Sequence, residues 1–82
     1  MNYWNHRVIE FLPVDGEITR AIHEVFYKND KPVAFAANPT HVSWLTTDGD
    51  DLALRTLREM ESALDMPILH ESDFVGVGFD TP

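Results

Sequence analysis

Four histidines, His6, His23, His41 and His70, are the side chains of this chain best suited to bind a metal or move a proton. Their spacing favours neither use. No HxH or HxxxH pair occurs, so no strand or helix turn delivers two imidazoles to one ion, and no nearby carboxylate completes a ligand set. Asp48, Asp50 and Asp51 begin like a calcium loop, but the residues beyond them lack the EF-hand spacing and its closing glutamate. Capping of a following helix accounts for these aspartates. Ser43, Ser62 and Ser72 lack the context of a nucleophile elbow, and Gly76-Val77-Gly78 is too short for a phosphate-binding loop. Without cysteine there is no thiolate to act as nucleophile or metal ligand. The sequence therefore predicts a non-enzymatic protein with no metal and no cofactor.

Recognition chemistry remains, and the residues for it fall on strands. Residues 3–12 alternate, with Trp4, His6, Val8 on one side and Tyr3, Asn5, Arg7, Ile9, Phe11 on the other. Pro13-Val14-Asp15-Gly16 reads as a turn, because Asp-Gly supplies the positive φ angles that a hairpin needs. A second strand over 17–27 carries Ile18, Arg20, Ile22, Glu24, Phe26 on one side and Thr19, Ala21, His23, Val25, Tyr27 on the other. Residues 28–32 form the next turn, and 33–37 a short third strand ended by Asn38-Pro39. Residues 41–46 continue the sheet or form a fourth short strand.

A helix over 50–65 begins behind Asp48 as N-cap and stops before Pro67. Its apolar stripe is read as Ala53, Leu57, Met60 and Leu64, so Leu57→Asp places a charge in the core. Residues 68–69 suit a short C-terminal strand, and Phe74–Phe79 alternates but is weakened by glycine. The expected fold is α+β: an antiparallel three- to four-stranded β-meander with one main helix on one face. The chain is one domain over 1–82, with 70–82 as a loosely docked tail.

Hairpin pairing then decides which side chains share a face. A two-residue turn at Asp15-Gly16 sets Arg7 opposite Glu24; a four-residue loop over 13–16 sets His6 opposite His23, with Arg7 diagonal to Glu24. Both put Arg7 and Glu24 on one face as a structural ion pair. Both also gather Trp4, His6, Val8, His23, Val25 and Tyr27 on the other. The helix is expected on the more apolar Ile9/Phe26 side, which leaves the Trp4/Tyr27 side as an interaction surface. A homodimer through that surface is the expected cover, and folding back of 68–79 is the alternative.

A formal charge of −8 argues against nucleic-acid binding, since the six basic residues are scattered. It suits a second functional reading: an acidic regulator, antitoxin-like or nucleic-acid-mimicking, that binds a basic protein. No apolar run approaches membrane-spanning length, the N-terminus lacks a signal-like h-region, and cysteine is absent. A cytoplasmic protein without membrane contact is expected.

Several segments also resemble a family of small uncharacterised bacterial proteins with no established activity. They are Tyr3-Trp4-Asn5-His6-Arg7-Val8-Ile9, Ile22-His23-Glu24-Val25-Phe26-Tyr27, Asn38-Pro39, Met60, and Ala63-Leu64-Asp65-Met66-Pro67-Ile68-Leu69. The chain departs from that pattern at Asp48-Gly49-Asp50-Asp51, where a Gly-x-Ser/Thr helix lead-in is usual. The strand–strand–strand–helix order is similar to HicB-like antitoxin domains in topology alone.

Overall fold

Alternating β-branched and aromatic residues produce the two long strands, β1 (Tyr3–Phe11) and β2 (Thr19–Lys28), of a computed structural model that describes residues 2–13 and 15–74. Asn29 and Asp30, both at positive φ (53° and 65°), make the tight turn into β3 (Lys31–Phe35). A bulge at Phe26/Tyr27 shifts the β2–β3 register by one residue. Residues 41–45 form no strand; a 3₁₀ turn at Thr46–Asp48 leads into the helix α1 (Asp51–Ala63). Beyond Pro67 come β4 (Leu69–His70) and a 3₁₀ turn at Glu71–Phe74. The alternation expected over Val75–Phe79 lies outside the described residues.

The α+β class holds, but the sheet is mixed. Its order is β3-β2-β1-β4, and β4 pairs parallel to β1 through Ile9↔Leu69 and Glu10↔His70. A strand that follows a helix crossing one face re-enters at the far edge in the direction of β1 and β3, so the meander ends after β3. The N-cap is Asp50, not Asp48. Its carboxylate makes no capping bond and instead accepts the Trp44 indole N–H at 3.2 Å.

The hairpin register overturns the expected face assignments. β1 and β2 pair Tyr3 with Tyr27, His6 with Glu24 and Arg7 with His23, closing on Phe11↔Thr19. The connection over 12–18 therefore holds an odd number of residues, whereas both expected turns hold an even number. One residue of difference transfers every β2 side chain to the other face relative to β1. Ile9, Phe11, Val25 and Tyr27 now stand together and form the core with Phe35, Leu69 and Phe74. Trp4, His6 and Val8 stand with Ile22, Glu24 and Phe26, and α1 lies on this second face, not on the Ile9 side.

Arg7 and Glu24 thus lie on opposite faces and do not pair. The Arg7 guanidinium donates to the Tyr27 hydroxyl at 3.0 Å and to the Pro67 carbonyl at 2.6 Å, tying the core face to the segment before β4. Its Nε, like Asn5 Oδ1, is buried without a hydrogen-bond partner among the described residues. A double-mutant cycle on Arg7→Ala and Tyr27→Phe is expected to give a coupling of about 0.5–1.5 kcal/mol. The cycle of Arg7→Ala with Glu24→Ala should stay within about 0.5 kcal/mol of additivity. Larger coupling to Glu24 than to Tyr27 would contradict the register.

Candidate functional site

The surface expected for interaction is divided by this register. Trp4, His6 and Val8 lie under or beside α1, while His23, Val25 and Tyr27 belong to the opposite, core face. Of the six, Trp4 alone is exposed; the rest are buried. Both faces have cover, α1 on one and Phe74 on the other. An uncovered Trp4/Tyr27 face, the premise of the expected dimer contact, is not present among the described residues.

The buried histidines are held by local partners. His23 Nδ1 lies 2.8 Å from the Ala36 carbonyl, and its ring packs between Phe11 and Phe35. His6 Nδ1 lies 3.3 Å from Thr40 Oγ1, and its Nε2 lies 3.7 Å from the Glu59 carboxylate of α1. The hydroxyl–imidazole–carboxylate order resembles a nucleophilic triad, but 3.7 Å is too long for the orienting hydrogen bond such a triad uses. Glu59 is also exposed to water. His70 sits at the β4 edge, 3.2 Å from Glu10, which also binds Arg20 at 2.9 Å. Among the described residues, no group of three or more His, Asp or Glu could hold a metal ion, and no helix is long and apolar enough to cross a membrane.

The exposed apolar surface lies instead on α1, because the helix is rotated from the expected stripe. Ala53 and Ala63 are buried, with Thr56 and Met60 half-buried between them. These positions follow i, i+3, i+7, i+10 and bring small side chains against β1, so helix and strand approach closely. Leu57 is 51% exposed and Leu64 66% exposed. With Leu54 and Glu61 they form a second stripe of the same spacing, one residue further round and facing outward. Leu64 also borders a hollow of about 210 Å³ with Val8, Ile22 and Ile68.

Around this stripe the charge is one-sided. Asp48, Asp50, Asp51, Glu59, Glu61 and Asp65 are all exposed, and only Arg55 and Arg58 oppose them on the helix. Of the expected stripe, Ala53 and Met60 do face the sheet, whereas Leu57 and Leu64 belong to the outer stripe, which shares the helical period. The small residues at 53, 56 and 63 were the signal that a close helix–sheet contact lay on the other stripe.

A second feature on this face is a cavity of about 340 Å³ lined by Glu24, Phe26, Ala36, Asn38, Pro39, Thr40 and His41. The chain matches no family model, no curated protein and no solved structure.

Proposed function

We propose that the protein is a non-enzymatic interaction module that acts in the cytoplasm and binds a basic amphipathic helix of another protein. The observation that carries this reading is the outward stripe of Leu54, Leu57 and Leu64 on a helix whose own core contact uses different residues. Large leucines exposed at helical spacing match one side of a helix-against-helix contact, with the partner's apolar face packed along the stripe. The surrounding carboxylates select the partner's charge. A second copy would bring a further formal charge of −8 to the same contact, whereas a basic helix is attracted to it. In this reading the acidic surface is that of a regulator that occupies a basic site on its target, and cytoplasmic action is supported by the cysteine-free sequence.

Sedimentation equilibrium and affinity capture test it together. The isolated chain is expected to sediment as a 9.4 kDa monomer. Tagged protein expressed in its native host should retain a stoichiometric basic protein, and Leu57→Asp should release it while remaining folded. A dimer dissolved by Leu57→Asp would establish the expected homodimer in place of the basic partner. Retention unaffected by Leu57→Asp would exclude the α1 stripe.

A further inference from the structure

Glu24 projects from β2 on the helix side of the sheet and is half-buried. Among the described residues its carboxylate has no hydrogen-bond or ion-pair partner. Glu10, a half-buried carboxylate on the neighbouring strand, is held by both Arg20 and His70. An unpaired carboxylate that lines a cavity beside an aromatic ring offers a cation both a counter-charge and a π face.

The cavity around it is preformed. Ala36 N–H donates to the Glu24 carbonyl at 2.9 Å, and Thr40 N–H donates to the Ile22 carbonyl at 2.7 Å. These bonds pin residues 36–40 along β2 and fix the wall that contains Asn38 and Pro39. Phe26 stands two residues from Glu24 on the same strand face, about 6–7 Å along the chain. A cation placed on the carboxylate is therefore within reach of the aromatic ring as well. The cavity adjoins α1: Thr40 lines it and also meets His6, whose other nitrogen faces Glu59 of α1.

We infer that this cavity receives an alkylguanidinium or alkylammonium group, the end of an Arg or Lys side chain from the partner bound along α1. The partner's identity as a basic helix rests on the function proposed above; the cation site itself does not. An apolar stem against Phe26 and Pro39, with the charge on Glu24, matches the two halves of such a side chain.

The test is an NMR titration of the ¹⁵N-labelled protein with N-acetyl-arginine amide and with its neutral isostere, N-acetyl-citrulline amide. The arginine derivative is expected to give saturable shifts at the Glu24, Ala36 and Thr40 amides, with a Kd of the order of millimolar. The citrulline derivative should not. Glu24→Gln should weaken binding by about tenfold or more, and Phe26→Leu by roughly two- to fivefold. Leu57→Asp should leave this titration unchanged while abolishing partner capture, which separates the cavity from the α1 reading. Shifts that fail to saturate would overturn the proposal, as would equal shifts with citrulline or in Glu24→Gln.

Discussion

Ile9→Asp is expected to abolish the cooperative thermal transition seen by circular dichroism, while Leu57→Asp keeps the wild-type spectrum and a cooperative transition at a lowered midpoint. Ile9 is 0% exposed and sits among Val25, Tyr27, Phe35 and Phe74. The nearest cation on that face, Arg7, is already engaged by the Tyr27 hydroxyl and the Pro67 carbonyl, and a carboxylate buried in this apolar cluster costs several kcal/mol even after relaxation. The whole stability of a small domain is only about 5–15 kcal/mol, so the folded state is lost. Leu57 already meets water. Its replacement costs part of its buried area, some helix propensity and a like-charge contact with Glu61 one turn on, about 1–2 kcal/mol in all, which leaves the protein folded. Both residues are large and aliphatic, and each stands on a correct apolar period. A folded Ile9→Asp protein, or an unfolded Leu57→Asp protein, would contradict the placement of α1 and of the core.

The second large effect concerns Phe74. Its ring lies 4.9 Å from that of Phe35 in an edge-on arrangement, and it is buried against the Ile9/Val25/Tyr27 face. Phe74→Ala is expected to destabilise the protein by about 3–5 kcal/mol, the usual cost of emptying a buried aromatic site. Chemical denaturation should show the midpoint falling with the slope nearly unchanged. An effect below about 1 kcal/mol would mean that residues 70–74 are a loosely held tail and that something else covers this face. The same measurement on Phe35→Ala should give a loss of similar size, because each ring forms part of the other's wall.

Much of the element order was legible in the chain. Period-two alternation in Tyr3–Phe11 and Thr19–Lys28 is a property of neighbours along the backbone, and the strands formed where it ran. Pro67 ended α1 in the same local way, since the residue before proline avoids the helical region. The Asn29-Asp30 turn was equally local. Two of the expectations that failed depended on contacts beyond nearest neighbours in the chain. Asp50 took the N-cap position in place of Asp48, and its carboxylate accepts the indole N–H of Trp44 six residues before it. Leu69 and His70 found their partner strand more than fifty residues back in the chain, and so ran parallel to it.

What the sequence determined by itself was the two long strands and the helix, the parity of side chains within each strand, and a formal charge of −8. Only the tertiary structure decided how those sets combine. The loop over 12–18 holds seven residues, an odd number, and this parity joined Val25 and Tyr27 to Ile9 and separated Arg7 from Glu24. No local preference of Pro13, Asp15 or Gly16 fixes that parity; burial of the Ile9–Phe35–Phe74 cluster favours it. Likewise, two stripes on α1 share one helical period, and amphipathicity cannot choose between them. Close approach to β1 can, because Ala53 and Ala63 let the helix near the strand where Leu57 and Leu64 would hold it away. The leucines were left facing outward for that steric reason, and the candidate site follows from it.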